Sequence, residues 1–235
     1  MRIADARNLF SPEPGWLNTA SYGLPPTVAW DALQAALGDW RAGRTTWEPW
    51  GDAVATARQT FARLVGASPS DVSIGAQVSQ LIAPVASSLP TGSRLLVPEE
   101  EFTSNVFPWA AQEARGIRVV AAPADRLAEA IDASVDVVAF SLVQSATGAV
   151  ADADAIVTAA EAVGALTVAD ATQACGWLPV DATRFDAFVC SAYKWLLSPR
   201  GTGFLVTSPL LRERIVPSQA GWFAAADPHD AYYGL

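Results

Sequence analysis

Six short apolar runs, separated by segments of helical pattern, are the feature that most constrains the fold of this chain. Most of these runs are continuously apolar, which is typical of strands buried on both faces. Strands that alternate with helices predict right-handed crossovers and an α/β fold, with a mostly parallel sheet and helices on both faces. The predicted strands are 94–99, 117–123, 135–141, 165–170, 186–191 and 203–208.

Helices are predicted between these strands at 104–115, 124–132 and 152–163. The last of them has the clearest ends, because Asp152 or Asp154 can cap its start and Gly164 can end it.

The first 70 residues have a different pattern, with two amphipathic helices predicted at 27–43 and 52–67. One face of the second helix carries Val54, Ala57, Phe61, Leu64 and Val65. We therefore divide the chain into an N-terminal helical segment, 1–70, and an α/β domain, 71–235.

Composition excludes several classes of function. The formal net charge of −9 argues against a protein that binds nucleic acid through a basic face. No apolar run reaches the roughly 18 residues of a transmembrane helix, and the N-terminus lacks the apolar stretch of a secretory signal. The two cysteines, Cys175 and Cys190, are expected in a reduced core, and the only histidine, His229, is expected at the surface. The sequence thus predicts a cytoplasmic protein with no metal site and no membrane partner.

Polar and aromatic residues follow four predicted strands at their carboxyl ends, where open α/β sheets bind ligands. The segments concerned are "EEFTSNVFPW", "LVQSATG", "ATQACG" and "AYKW". Two residues at these strand ends stand out, Asp170 and Lys194, in a chain with very few lysines. Taken alone, Asp170 could be a helix N-cap and Lys194 a solvated surface residue. Together they predict a buried acid and amine arranged around a ligand.

Pyridoxal phosphate is a ligand that uses both groups, since it needs a lysine for a Schiff base and an acid beside its pyridine nitrogen. Its phosphate needs backbone N–H donors at a helix N-terminus, which the turn in "SIGAQVSQL" (73–81) can offer. The alternative for this turn is an ordinary junction between a loop and a helix.

The segment "VADATQACGWLPVDATRFDAFVCSAYKWLLSPRGTGFLVT" resembles the core signature of the class V aminotransferase family, which includes the cysteine desulfurases. That family has fold type I of the pyridoxal phosphate enzymes, so the resemblance implies its large domain over 71–235 and a substrate loop within 1–70. The positions that carry the pattern are Asp170, Gln173, Pro179, Asp181, Ser191, Lys194, Gly201 and Gly203.

The resemblance implies a role for each matching residue around the cofactor ring. Lys194 would be the Schiff-base lysine and the proton shuttle at the substrate Cα. Asp170 would pair with the pyridinium nitrogen, and Gln173 would contact the ring hydroxyl. Phe102 would stack on the ring where the desulfurases have a histidine, and Ser145 replaces an asparagine.

The phosphate, in the same resemblance, would be held by the backbone of Ala76 and Gln77 and by the hydroxyl of Ser191. Tyr193, which replaces the usual histidine as in the kynureninase branch, would donate to it as well. In the loop of "WLNTASYGLPP", Asn18, Ser21 and Tyr22 would lie near the substrate. The resemblance also implies a homodimer.

The finer resemblance is to the carbon–sulfur lyases of ergothioneine biosynthesis, which cleave hercynylcysteine sulfoxide. It implies β-elimination from a cysteine conjugate or its sulfoxide. An aminotransferase, a cysteine desulfurase or an epimerase of the same family is the alternative. Family members run well beyond 235 residues, so the C-terminal small domain is expected to be absent. A truncated, inactive domain with a structural or binding role is the second alternative.

Overall fold

A seven-stranded sheet forms the centre of the computed structural model, which describes residues 2–228 and 230–233. The expectation for His229 therefore lies outside the described residues. The strand order is β1-β7-β6-β5-β4-β2-β3. The strands are β1 (Val72–Gly75), β2 (Arg94–Pro98), β3 (Arg118–Ala122), β4 (Val137–Ser141), β5 (Leu166–Asp170), β6 (Ala187–Ser191) and β7 (Gly203–Thr207).

Strand β7 is antiparallel to both of its neighbours, β1 and β6, and the other pairings in the described sheet are parallel. All six strands predicted from the apolar runs are present, which confirms the mostly parallel sheet. Strand β1 was not predicted as a strand. It is only four residues long and lies at the sheet edge, too short for its alternation to stand out from a loop.

Seven α-helices are described, and those that pack on the sheet cover both of its faces. They are α1 (Ile3–Arg7), α2 (Thr27–Arg41), α3 (Glu48–Leu64), α4 (Val78–Ser88), α5 (Phe107–Ala110), α6 (Ala153–Val163) and α7 (Pro209–Arg212). Helix α6 is capped as predicted: Asp152 Oδ1 accepts the Ala155 N–H at 3.0 Å, and Gly164 ends the helix with a φ of 76°.

Two apolar cores lie on opposite sides of the sheet. Phe61 of α3 and Ile156 of α6 belong to one core, while Ile82 of α4, Trp109 of α5 and Leu211 of α7 belong to the other. The continuous apolar runs of the strands supply side chains to both cores alternately. The predicted fold class, an α/β large domain with helices on both faces, is confirmed.

Two predicted helices are wrong in extent. The segment 104–115 contains only the short helix α5, flanked by 3₁₀ turns at 103–105 and 113–115. Pro108 lies in the first turn of α5, and a proline has no N–H with which to continue a helix begun earlier. The segment 124–132 forms two 3₁₀ turns, at 124–126 and 128–130, instead of a helix.

The N-terminal helices are less buried than their amphipathic pattern predicts. Helix α2 has no buried residue, and in α3 the side chains of Val54 and Leu64 remain 36% and 50% exposed. The C-terminal part of the chain reaches the start of α3 through ring contacts, with Trp47 5.5 Å from Trp222 and 5.8 Å from Phe223 between centroids. Within the described residues, no helix combines the length and apolarity needed to cross a membrane.

Candidate active site

The carboxyl ends of β2, β4, β5 and β6 meet at one edge of the sheet because these strands are parallel. The start of β7 reaches the same edge, where Gly203 pairs with Gly75 on one side and with Ser191 on the other. A cavity of about 240 Å³ opens here. It is lined by every residue predicted to bind the cofactor: Ala76, Gln77, Phe102, Ser145, Asp170, Gln173, Ser191, Tyr193 and Lys194.

Asp170, the last residue of β5, lies in this cavity with only 4% of its surface exposed. Its Oδ1 accepts the Thr172 N–H at 2.8 Å, so it closes a turn and does not cap a helix. Burial raises the pKa of the Asp170 carboxyl, against the hydrogen bonds from Thr172 and the charge of Lys194, which lower it. A buried acid in this position fits a cationic partner within the cavity, such as a protonated ring nitrogen.

Lys194 is the only lysine in the sequence, and it is 6% exposed. Its Nζ lies 5.6 Å from the ring centroid of Phe102 and 5.9 Å from that of Tyr193. Among the described residues it forms no salt bridge, so the predicted acid and amine face one cavity without closing on each other. Burial lowers the pKa of the amine, and Arg200 lowers it further, while Asp170 and Cys190 raise it. A lowered pKa increases the neutral, nucleophilic fraction of this amine.

Gln173 ties three segments together beside the cavity. Its Nε2 donates to Ser145 Oγ at 3.1 Å and to the carbonyl of Ala20 at 3.0 Å. Its Oε1 accepts the indole N–H of Trp195 at 2.8 Å. The structure thus brings Gln173 and Ser145 together and attaches the N-terminal loop to them.

The predicted phosphate end of the cavity lies at the start of α4, where Gln77 is the N-cap residue. The Gln77 N–H has no acceptor among the described residues, whereas the Ala76 N–H donates to Gln80 Oε1 at 2.8 Å. The first amides of a helix also lack acceptors within the helix. Ser191 adds a hydroxyl at the end of β6. This donor set fits a phosphate through Gln77 and Ser191, while Ala76 is engaged by Gln80.

Of the predicted substrate residues, none lines the cavity itself. Asn18 accepts backbone hydrogen bonds from Ser21 and Tyr22, both at 3.0 Å, which forms a turn. The next residue, Gly23, donates its N–H to the carbonyl of Tyr193 at 2.8 Å. The turn is therefore fixed beside the lysine, and the Tyr22 ring lies 5.9 Å from the Tyr193 ring.

The sequence interpretation missed Glu101, which is buried beneath the cavity. Its carboxylate accepts the N–H of Phe102 at 2.8 Å, and the N–H and hydroxyl of Ser141 at 2.7 Å and 2.5 Å. Burial raises the pKa of Glu101, against these hydrogen bonds, which lower it. The only signal for Glu101 in the sequence was its position at the end of a predicted strand. Glu99 and Glu100 lie at the same strand end, so this position does not single out Glu101.

Thr172 and Arg200 also line the cavity without having been predicted to do so. The Thr172 hydroxyl accepts the Ser191 N–H at 3.0 Å and so joins the ends of β5 and β6. Both cysteines are buried, as predicted, and neither lines the cavity.

Residues 34–232 of the chain match the aminotransferase class V family. The chain belongs to this family. The cofactor predicted from the sequence, pyridoxal phosphate, agrees with that assignment and with the arrangement of Lys194 and Asp170 in the cavity.

Among curated proteins, this class V chain is 33% identical over 183 residues to an isopenicillin N epimerase of Streptomyces clavuligerus, covering 71% of this chain and 46% of the epimerase. It is 30% identical over 191 residues to a probable cysteine desulfurase of Methanothermobacter thermautotrophicus, covering 76% of this chain and 48% of the other. The chain thus spans about half the length of the curated relatives it matches.

Solved structures share the fold of this class V chain. The Escherichia coli cysteine desulfurase CsdA superposes with a TM-score of 0.77 at 24% identity, covering 94% of this chain and 61% of that one. A mutant of C-DES, with glycine covalently linked to its PLP cofactor, superposes with a TM-score of 0.80 at 23% identity, covering 90% of this chain and 63% of that one.

Proposed function

We propose that this chain is the cofactor-binding part of a pyridoxal phosphate enzyme that acts on an amino acid. The observation that carries the proposal is the placement of Lys194 and Asp170 in one cavity, apart from each other and both nearly buried. When bound, pyridoxal phosphate supplies an electron sink for the carbanion at the substrate Cα.

Lys194 would first hold the cofactor and then move the proton at the substrate Cα. Its depressed pKa supports the second role, because a base is effective when its neutral form is populated near the working pH. Phe102, which lines the cavity where the desulfurases have a histidine, has no group that could transfer a proton. One amine would therefore serve as both base and acid.

Asp170 would hold the ring nitrogen in its protonated form by offering a fixed anion. The Thr172 amide and the strand pairing at Ser141 hold the carboxyl in place before any ligand arrives. Gln173, tied to Ser145 and Trp195, would orient the ring hydroxyl, and Phe102 would cover the ring face. Gln77 and Ser191, with the Tyr193 hydroxyl, would bind the phosphate.

The reaction that we propose is β-elimination from a cysteine conjugate or its sulfoxide. With a thioether substrate and one water, its products are pyruvate, ammonia and the free thiol; a sulfoxide would release a sulfenic acid instead. The Phe102 ring over the lysine, and two cysteines buried away from the cavity, support this over a desulfurase that stores sulfur on one of these thiols. The resemblance to the ergothioneine lyases makes hercynylcysteine sulfoxide the first substrate to assay.

Epimerisation is the second candidate, and the 33% identical isopenicillin N epimerase favours it. Proton removal and return at Cα by Lys194 would suffice for it. Transamination and desulfuration use the same first step. A chain that binds no cofactor would instead have a structural or binding role.

The test of cofactor binding uses the single lysine. Purified protein is mixed with pyridoxal phosphate, its visible absorbance is recorded, and borohydride then fixes any lysine-linked cofactor for peptide mapping. We expect the label on Lys194 and none there in Lys194→Ala. If no label appears on Lys194 of the wild-type chain, every pyridoxal phosphate function proposed above fails.

A product assay on protein that binds the cofactor separates the candidates. Pyruvate with thiol or sulfenate indicates the lyase, alanine with persulfide the desulfurase, and an inverted Cα without pyruvate the epimerase. Release of pyruvate at an unchanged rate by Lys194→Ala would contradict the assigned role of the lysine.

We also propose the division into an N-terminal segment, 1–70, and a cofactor-binding domain, 71–235, together with a homodimer. The turn at residues 18–23 supports the proposed division, because it belongs to the N-terminal segment and contacts the turn that carries Lys194, which we call the lysine turn. The exposed helix α2 supports the proposed homodimer.

A further inference from the structure

A side chain of helix α4 closes one of the two backbone amides predicted to bind the cofactor phosphate. The Ala76 N–H donates to Gln80 Oε1 at 2.8 Å, whereas the Gln77 N–H has no acceptor among the described residues. Ala76 and Gln77 both line the cavity, and both are exposed to solvent. A ligand that enters this end of the cavity therefore meets one open amide and one amide that a glutamine already holds.

The Gln80 side chain also bonds to a distant part of the chain. Its Nε2 donates to Gln219 Oε1 at 3.1 Å, and the two residues are 139 positions apart. Chemistry fixes the orientation of the Gln80 amide, because the backbone N–H of Ala76 can only donate and so faces the oxygen. The NH₂ group is thereby left for Gln219. A single amide group thus connects the cavity with the C-terminal part of the chain.

Gln219 lies in the middle of residues 213–228, which we call the C-terminal segment. Residues 216–221 are all exposed, and just beyond them the Trp222 ring contacts that of Trp47. An exposed stretch of this kind opens locally at a small cost in free energy. The hydrogen bond from helix α4 therefore contributes to holding the segment in place.

The phosphate and Gln80 would compete for the same donor. A phosphate oxygen carries charge, and hydrogen bonds to a charged acceptor are stronger than those to a neutral amide. The dipole of helix α4 also favours an anion at this position over the uncharged glutamine. The Ala76 N–H should therefore exchange Gln80 Oε1 for a phosphate oxygen when the cofactor binds.

We propose that the cofactor phosphate displaces Gln80 from Ala76, and that this displacement weakens the bond to Gln219 and loosens the C-terminal segment. The inference rests on the proposed function, because it takes the ligand to be pyridoxal phosphate with its phosphate at the start of α4. Coupling between two binding events is reciprocal, so the attached segment weakens phosphate binding by the factor by which the phosphate weakens the attachment. Gln80 thus limits the affinity of the protein for its cofactor.

The test compares pyridoxal phosphate with pyridoxal, which lacks the phosphate. Each is titrated into the purified chain, and its dissociation constant is measured from the visible absorbance. The ratio of the two constants reports the contribution of the phosphate. In Gln80→Ala the Ala76 N–H is free, so we expect pyridoxal phosphate to bind about threefold to tenfold more tightly, the value of one neutral hydrogen bond, with pyridoxal unchanged.

A second variant and a control make this result specific. Gln80→Glu keeps an acceptor for the Ala76 N–H and adds a negative charge beside the phosphate. It should bind pyridoxal phosphate at least about tenfold more weakly than the wild type does, again with pyridoxal unchanged. Gln59→Ala is the matched control, since Gln59 is an exposed glutamine of helix α3 that does not line the cavity. It should give the wild-type constants for both ligands.

Hydrogen exchange followed by mass spectrometry measures the C-terminal segment directly. In the wild type, we expect pyridoxal phosphate to speed the exchange of peptides from residues 213–228, and pyridoxal to leave it unchanged. In Gln80→Ala these peptides should exchange fast with or without the cofactor, because the bond to Gln219 is already missing.

Two results overturn the inference. If Gln80→Ala binds pyridoxal phosphate no more tightly than the wild type does, Gln80 does not compete with the phosphate, and weaker binding would make it a phosphate ligand instead. If pyridoxal phosphate does not speed exchange in residues 213–228 of the wild type, the segment is not coupled to the cavity. Failure of the proposed function gives a different result, because the wild-type chain would then bind neither ligand at Lys194.

Discussion

Glu101 and Asp170 are two buried carboxyl groups beneath one cavity, and they serve it differently. Glu101 is satisfied by the backbone of Phe102 and by Ser141, so it fixes the loop that carries the Phe102 ring. Asp170 keeps one side towards the cavity. A carboxyl group kept for a ligand lowers the stability of the protein before that ligand binds.

Asp170→Asn should make the cofactor-free protein more stable above neutral pH, by about 1 kcal/mol or more. The asparagine Oδ1 can still accept the Thr172 N–H, and no charge is buried. Since the folded pKa of Asp170 is raised, its contribution to stability is fully present below the ordinary pKa of 3.8 and is lost as pH rises through the folded pKa.

Urea denaturation of the wild type and of the variant at pH 5 and pH 8 tests this. The difference between the two proteins at each pH reports on Asp170 alone, because Glu101 is present in both. We expect the variant to gain more over the wild type at pH 8 than at pH 5. A variant that is less stable at both values contradicts the claim that the charge is costly. When pyridoxal phosphate is added, the visible absorbance of the variant should differ from that of the wild type, whichever stability result is found.

Single residues of the site were predictable where a spaced pattern carries them. Lys194 and Asp170 stand at strand ends within the class V signature, so their place at the cavity could be predicted from the sequence. Glu101 was not predictable because three glutamates follow β2, and only the neighbouring strand β4 decides which of them is buried.

At the scale of elements, the turn at residues 18–23 is held against the lysine turn by a contact that only glycine permits. A Cβ on Gly23 would lie 2.0 Å from the carbonyl oxygen of Lys194 and 2.8 Å from the Leu197 side chain. Leu197 itself has a φ of 61°, a conformation rare for a residue with a side chain. The two turns therefore fit together by close backbone approach.

Gly23→Ala should push these turns apart, destabilise the protein by about 1–3 kcal/mol and weaken cofactor binding. Denaturation and cofactor titration measure the two effects. Gly38→Ala is the control, because Gly38 lies inside α2 with open space around it and alanine favours a helix. Wild-type cofactor affinity in Gly23→Ala would mean that the N-terminal segment does not shape the site.

Elements with strong local signals were predicted well, and short ones were not. The ends of α6 follow from Asp152 and Gly164, whereas β1 exists only because β7 pairs with it. The interval 104–115 has the periodicity of one helix, yet Pro108 divides it. Both errors arise where tertiary contacts or a missing N–H outweigh the local pattern.

At the scale of the whole molecule, α2 presents an apolar face that the described residues leave exposed. This face carries Trp30, Leu33, Leu37 and Trp40, which are spaced at three and four residues. Exposed apolar faces of this kind mark sites of association. We take the second copy of the chain as its partner, in line with the proposed homodimer.

Trp40→Asp should therefore shift the protein from dimer to monomer, because it places a charge within a contact that the dimer would desolvate. Sedimentation velocity or light scattering measures the mass. Asp31→Asn, on the other side of α2, should remain dimeric. A wild-type chain that is monomeric at micromolar concentration would contradict the proposal.

The burial of a single lysine has a practical consequence for any laboratory that handles this protein. An endoproteinase specific for lysine can cut the chain at one bond only, after Lys194, which separates residues 1–194 from 195–235. In the folded protein that bond is shielded, because Lys194 is 6% exposed and Gly23 packs on its carbonyl. Cleavage thus reports unfolding around the site, and a lysine fixed to its cofactor by reduction would leave even the unfolded chain uncut.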